Sequence, residues 1–192
     1  MTAEEGFMRA IVDNPDDDTY RLVFADWLEE RGDPRGAFIR VQCQIAVTAK
    51  EDPVHKVLAT QERTVFTPAV RQAFRLPFPE PLHYHFSSAS NFRRGFLDKI
   101  EISADKLDLF LQHAEALFER MPVQHLAFGP QLTSYYGNTA ASDTDTEKVQ
   151  ALLRPLWIRR LRSLEMLSPF SEPHQTPGHT GEGLCGGPVA PP

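Results

Sequence analysis

Three groups of polar residues are spaced closely enough to support chemistry, and the first surrounds Trp27 in "RLVFADWLEERGDPRG". Its carboxylates, Asp26, Glu29 and Glu30, could act as a general acid and base if burial or coupling moved one pKa toward neutrality. Basic neighbours would instead keep these carboxylates ionised, namely Arg21, Arg31 and Arg35. We therefore interpret the group as structural ion pairs and helix caps, and we predict no catalytic residue in it.

The second group consists of His83 and His85 in "LHYHF", which could bind a metal ion together with a carboxylate. A metal site needs three or four rigid ligands, and the sequence offers neither a CxxC nor an HExxH frame. It also lacks the G-x-S-x-G motif of serine hydrolases and a glycine-rich phosphate loop. We predict no metal and no cofactor, and a metal-dependent hydrolase that uses His83 and His85 is kept as an alternative.

The third group places four arginines within nine residues: Arg154, Arg159, Arg160 and Arg162. Such a cluster can bind nucleic acid, and this is a second alternative. Stacking on bases normally accompanies phosphate contacts, and Trp157 is the one aromatic residue within the cluster. We therefore interpret the arginines as a solvated helix end.

The overall charge also argues against a nucleic-acid partner. The chain carries a net charge of -6, and residues 1–52 hold twelve acidic and six basic residues. Phosphate contact requires a positive surface. The sequence shows no membrane span and no secretory leader. Two cysteines, Cys43 and Cys185, do not suggest a disulfide framework, so we expect a cytoplasmic protein.

The first 52 residues have the pattern of three helices. Thr2 and Glu5 can form a capping box, one of Asp16 to Asp18 can cap the second helix, and Gly32 can end it. The second helix repeats large residues at three- and four-residue steps, which predicts one helical face made of Tyr20, Val23, Phe24, Trp27, Leu28 and Arg31. The inner stripe of the third helix comprises Phe38, Gln42, Ile45 and Ala46, and Ile39 lies beside it. We expect a core of Phe24, Trp27, Leu28 and Phe38, and a cost of about 3–5 kcal/mol for Trp27→Ala if Trp27 is buried.

The chain after residue 90 carries three copies of an L-x-x-L-x-L pattern. The copies begin at Leu97, Val123 and Leu161, which are 26 and then 38 residues apart. The first spacing is typical of leucine-rich repeats, and a polar insertion lengthens the second. An apolar stripe from Leu107 to Met121 predicts a helix between the first two copies, and residues 147–154 form a shorter helical segment before the third. Strands alternating with helices predict parallel strands.

Stacking the three copies aligns the residues between their apolar positions. The expected rows are Lys99, His125 and Ser163, then Glu101, Ala127 and Glu165, then Ser103, Gly129 and Leu167. This mixed polar face suits contact with a protein. The predicted binding residues are Lys99, Glu101, His125 and Glu165, and the expected partner is an unidentified protein.

The segment "DDDTYRLVFADWLEERGDPRGAFIRVQ" resembles the bacterial repeat-companion domain, a short helical module at the N-terminus of proteins with leucine-rich or other repeats. The resemblance covers about residues 4–45, and "RRGFLDKIEI" resembles the segment that leads such proteins into their first repeat. The resemblance implies an architecture, and it implies no established enzymatic activity or cofactor.

The sequence therefore predicts an α/β fold with a helical N-terminal module followed by a short leucine-rich-repeat-like βα solenoid with parallel strands. The expected units are a repeat-companion module (1–52), a helical segment with a Pro-rich extended connection (53–90), a leucine-rich-repeat-like region (91–168) and a disordered tail (169–192). The expected function is that of a non-enzymatic interaction or scaffold module.

Overall fold

The computed structural model describes residues 2–75, 78–103, 106–129 and 159–166, and its first part is helical. Five α-helices follow one another: α1 (Ala3–Asp13), α2 (Asp18–Glu29), α3 (Arg35–Val47), α4 (Pro53–Val65) and α5 (Pro68–Arg75). The predicted starts of the first two helices are confirmed. Thr2 and Glu5 form a capping box, and the Asp17 side chain accepts a hydrogen bond from the Thr19 amide.

The buried face of α2 differs from the predicted one. Arg21, Phe24, Ala25 and Leu28 are buried, as is Phe38 of α3, whereas Trp27 is only half-buried. Tyr20 and Val23 belong to the predicted face, but they are 38% and 49% exposed. Apolar residues cover more of the α2 circumference than its neighbours can bury, and periodicity alone does not indicate which part of that arc is covered.

The inner stripe of α3 is also displaced from the predicted one. Ala46 is exposed, while Val41 and Cys43 are buried together with the expected Ile39 and Gln42. The Cys43 thiol lies 3.8 Å from the Arg94 carbonyl oxygen. Burial raises the pKa of this thiol to about 12.

The prediction of an extended Pro-rich connection is wrong for residues 80–87. These residues form a 3-10 helix (Glu80–Ser87), and a second short one follows (Ala89–Asn91). The prolines occupy its start: Pro79 is the N-cap, and Pro81 lies in the first turn. Proline is tolerated there because the first amides of a helix have no intrahelical partner.

A two-stranded hairpin, β1 (Phe92–Arg93) and β2 (Phe96–Leu97), connects the helices to the larger sheet. Arg94 and Gly95 form its turn with φ angles of +54° and +85°. A Cβ atom on Gly95 would lie 2.5 Å from the Ile39 Cα atom, and the Gly95 amide donates to Gln42 Oε1 at 2.8 Å. The turn therefore requires glycine for both its backbone conformation and its close approach to α3.

The larger sheet is parallel, as predicted, and has three strands in the order β3-β4-β5. They are β3 (Lys99–Ser103), β4 (His125–Gly129) and β5 (Ser163–Met166), with α6 (Leu107–Arg120) between β3 and β4. Side chains of Ile100, Ile102 and Leu126 are buried with the apolar face of α6. The chain is thus a mixed helix and strand protein with a parallel three-stranded sheet.

A single hydrophobic cluster extends from α1 to β4. The Phe38 ring centroid lies 4.9 Å from that of Phe66, 6.0 Å from Phe74 and 5.5 Å from Phe92, and Phe24 lies 6.2 Å from Phe96. These rings join α2 and α3 to the later elements. The predicted helical segment at 147–154, the insertion before it and the predicted disordered tail at 169–192 lie outside the described residues.

Candidate interaction face

Six side chains form two rows on the open face of the sheet, which we call the repeat face. The register pairs Lys99 with His125 and His125 with Ser163, and it pairs Glu101 with Ala127 and Ala127 with Glu165. These are the rows expected from the sequence. The third row pairs Ser103 with Gly129, and Leu167 lies outside the described residues.

The strand starts are aligned by backbone hydrogen bonds. The Asp98 carbonyl accepts from the amides of Gln124 and His125 at 3.0 and 2.9 Å. The Gln124 carbonyl accepts from the amides of Arg162 and Ser163 at 2.7 and 3.2 Å. Because side chains alternate along a strand, this alignment directs every second residue to the repeat face. Lys99, Glu101 and Glu165 are exposed there, and Ala127 is 2% exposed.

His125 connects the three strands through its side chain, which the sequence did not predict. Its Nδ1 atom lies 2.7 Å from Ser163 Oγ, and its Nε2 atom lies 3.6 Å from Asp98 Oδ2. Burial raises the pKa of Asp98, and His125 and nearby arginines partly oppose that effect. The alignment of the three sequence copies could have indicated this cluster, because Asp98, His125 and Ser163 each lie at or just before the start of a strand.

Ser163, His125 and Asp98 lie next to one another at one edge of the sheet. They resemble the serine, histidine and carboxylate of a nucleophilic active site. Such a site needs a carboxylate bonded to the histidine and amides free to stabilise an oxyanion. The 3.6 Å separation between Asp98 and His125 exceeds a hydrogen bond. The amides of Arg162 and Ser163 are both bonded to Gln124. These contacts therefore fix the positions of the His125 and Ser163 side chains, and they do not activate Ser163 as a nucleophile.

The carboxylates around Trp27 form ion pairs, one with the expected Arg31 and two with an arginine that was not expected. Arg40 of α3 pairs with both Asp26 and Glu29, and Arg31 lies 3.7 Å from Glu30. Arg35 instead contacts Glu4 at 2.9 Å and Asp33 at 2.8 Å, and Arg21 is buried with its guanidinium 5.7 Å from the Phe96 ring centroid. These contacts are structural.

The described members of the arginine cluster contact the acidic N-terminal part. Arg162 pairs with Asp16, and Arg160 donates to the Phe118 carbonyl at 3.0 Å and lies 3.7 Å from Asp13. Arg159 is exposed, and Arg154 and Trp157 lie outside the described residues. Part of the uneven charge along the sequence is therefore matched within the molecule.

The two histidines of "LHYHF" have separate surroundings. His83 Nε2 lies 2.7 Å from the Phe78 carbonyl oxygen, and its Nδ1 lies 3.1 Å from Glu80 Oε1. His85 is 1% exposed, and burial lowers its pKa to about 4. Within the part of the chain that the structure describes, no group of three metal-ligating side chains comes together.

A cavity of about 840 Å³ lies between α1, α5 and the C-terminal end of α6. Its apolar lining residues include Met8, Phe74 and Met121. Four of its charged lining residues contact one another in the pairs Arg35–Glu4 and Arg9–Asp13. The volume is in the range of small-molecule sites, and in these two pairs each charge is directed at its partner side chain.

A scan against protein-family models and searches of curated proteins and solved structures found no match to this chain. The resemblance to the repeat-companion domain therefore stays a prediction. Among the described residues, no helix has the length and apolar character needed to cross a membrane.

Proposed function

We propose that this protein is a non-enzymatic interaction module that binds another protein through the repeat face. In this proposal β3, β4 and β5 are the strands of a short leucine-rich-repeat-like array. The observation that carries it is the parallel register, which collects polar residues from three distant segments into two rows on one face. Extended faces of this kind are the usual binding surfaces of repeat proteins.

The chemistry of the rows suits a polar protein segment. One row contains Lys99 and His125, and the next contains Glu101 and Glu165 on either side of Ala127. Neighbouring strands lie about 4.8 Å apart, so the backbones of the two glutamates are separated by about 10 Å. The exposed carboxylates of Glu101 and Glu165 suit a basic side chain of the partner, and the exposed Lys99 suits an acidic one.

The two alternatives have less support. His83 and His85 lack a third ligand among the described residues, and His85 is enclosed in the core. Arg160 and Arg162 contact acidic residues of the same chain, which reduces the positive charge available to phosphates.

A charge-reversal experiment tests the proposal. The wild-type protein and a Glu101→Lys/Glu165→Lys variant are used for quantitative affinity capture from the native lysate. A matched Glu51→Lys/Glu115→Lys variant changes two exposed glutamates outside the repeat face by the same charge. We expect a protein that binds the wild type and the matched control at equal levels and is lost from the repeat-face variant.

Circular dichroism and urea unfolding establish that the three proteins are equally folded. If every captured protein binds the repeat-face variant as well as the wild type, the repeat face is not the binding site. Stoichiometric zinc or manganese in the purified protein would instead favour the hydrolase alternative.

A further inference from the structure

A small void lies where α2, the hairpin turn and the start of β4 meet, and we call it the Arg21 void. Its volume is about 10 Å³, which is enough for one water-sized particle. Phosphate, sulfate and organic ligands are too large for this space. The void is bordered by Pro15, Asp16, Arg21, Arg93, Arg94, Asp98, Pro122 and Gln124.

Arg21 is a buried cation without a carboxylate partner. The residue is 2% exposed, and its Nη1 atom donates to the Asp17 carbonyl oxygen at 3.2 Å. Its buried Nε atom has no hydrogen-bond partner, and Arg21 forms no salt bridge with a residue that the structure describes. The Phe96 ring centroid, 5.7 Å from the guanidinium, compensates only part of the charge. Because an uncompensated buried charge is costly, the site favours a negatively charged ligand.

Arg94 and Gln124 provide further hydrogen-bond donors at the void. The Nη1 atom of Arg94 donates to the Asp16 carbonyl oxygen at 2.7 Å and lies 3.1 Å from Asp18 Oδ1, but its buried Nε atom has no partner. Gln124 is 4% exposed, and its hydrogen bonds to described residues are made by its backbone. The two buried side-chain atoms without partners here, Arg21 Nε and Arg94 Nε, are both donors. A ligand in the void must therefore accept hydrogen bonds.

The charges around the void leave an excess of one positive charge. Three positive and two negative residues border it: Arg21, Arg93, Arg94, Asp16 and Asp98. The Asp16 carboxylate pairs with Arg162, and its side chain is 62% exposed to solvent. Asp98 is more enclosed, and its Oδ2 atom lies 3.6 Å from His125 Nε2. Asp98 therefore weakens the binding of an anion without cancelling the excess positive charge.

We propose that the Arg21 void binds one chloride ion through the Nε–H groups of Arg21 and Arg94 and the side-chain amide of Gln124. The ion accepts these hydrogen bonds and neutralises the excess charge. Because its ligands come from α2, the hairpin turn and the start of β4, it joins the N-terminal helices to the sheet. The nearby Asp98 limits the affinity, so half-saturation is expected at millimolar chloride.

Chloride-dependent stability tests this site. Urea unfolding is measured from about 10 to about 300 mM sodium chloride, with sodium gluconate keeping the ionic strength constant. Above the dissociation constant, each tenfold rise in chloride is expected to raise the folding equilibrium constant by up to about tenfold. Equal stability in chloride and in gluconate at every ratio of the two salts would overturn the proposal.

An isosteric variant separates binding from the general effect of anions on stability. Gln124→Glu places a carboxylate at the void in place of the ion, so this variant is expected to lose the chloride response while circular dichroism shows it to be folded. Gln112→Glu adds the same charge at an exposed position of α6 and is expected to keep the response. A full chloride response in Gln124→Glu, or its loss in both variants, would contradict the proposed site.

Long-wavelength anomalous diffraction from wild-type crystals grown in sodium chloride locates the ion without any variant. The chloride signal is expected between Arg21, Arg94 and Gln124. A water molecule at this position, with chloride found only on the protein surface, would mean an adventitious ion only and would rule out the site. The repeat face is not involved in these measurements, so their outcome is independent of the proposed function.

Discussion

Single residues in this protein show how burial, more than residue type, determines chemical character. His85 and His125 are both histidines, but His85 is enclosed in the core and His125 contacts Ser163 on the sheet face. Trp27 and Phe24 are three positions apart on α2, and only Phe24 is fully buried. Two predictions follow at this scale.

The first concerns the pH dependence of stability. Burial lowers the pKa of His85 from 6.5 to about 4, so the unfolded chain takes up a proton at a higher pH than the folded chain does. The free energy of unfolding is therefore expected to fall as pH decreases from 6.5 toward 4, by about 3 kcal/mol. Urea unfolding at several pH values measures this loss. His85→Gln should flatten the dependence of the unfolding free energy on pH, and His55→Gln should leave it unchanged. An unchanged slope in His85→Gln would mean that another group causes the loss.

The second concerns the aromatic core of α2. Phe24→Ala removes a fully buried ring and is expected to cost about 3–5 kcal/mol. Trp27→Ala should cost less than Phe24→Ala, because Trp27 is half-buried and its loss leaves a site open to water. Urea unfolding of the two variants at pH 7 gives the order. A larger loss for Trp27→Ala would indicate that the ring is more enclosed than its exposure suggests.

At the scale of elements, the sequence predicted the features that depend on residues close together in the chain or on a repeated pattern. The capping box and Asp17 cap depend on residues within three positions, and the sheet rows depend on a repeat that recurs in the sequence. The covered side of α2 and the 3-10 helix at Glu80–Ser87 depend on which distant elements pack against them. The contact between His125 and Ser163 further depends on side-chain conformations, which no spacing of residues indicates.

The hairpin turn provides a prediction at this scale. Gly95→Ala would place a Cβ atom 2.5 Å from the Ile39 Cα atom at a φ of +85°, so we expect a loss of at least about 2 kcal/mol. Gly6→Ala in α1 meets no atom within 4 Å and should stabilise the protein by up to about 1 kcal/mol. Thermal unfolding of both variants compares them. Equal stability of Gly95→Ala and the wild type would mean that the hairpin moves away from α3 without cost.

At the scale of the whole molecule, the N-terminal helices and the later elements share one core. Phe24 contacts Phe96, and Gln42 accepts from the Gly95 amide. Three acidic residues of the N-terminal part pair with arginines from later segments: Asp13 with Arg160, Asp16 with Arg162 and Asp18 with Arg94. The sequence division at residue 52 does not indicate these contacts, because each joins residues far apart in the chain.

This shared core predicts how a fragment behaves. Residues 1–52 alone would expose the faces of Phe24 and Phe38 that the hairpin and α5 cover, so we expect no cooperative unfolding transition. Urea titration followed by near-ultraviolet circular dichroism measures this. Residues 1–129, which keep the cluster from α1 to β4, are expected to retain a transition. A sharp transition in the short fragment would show that the N-terminal helices form an independent domain.

The buried thiol of Cys43 is an intrinsic probe of local opening in the native protein. With its pKa at about 12 and its side chain beneath the Arg94 turn, this group reacts with thiol reagents only when α3 and the hairpin separate. In a Cys185→Ser background, the rate at which Cys43 is modified without denaturant therefore measures how often the contact between α3 and the hairpin opens in the native protein.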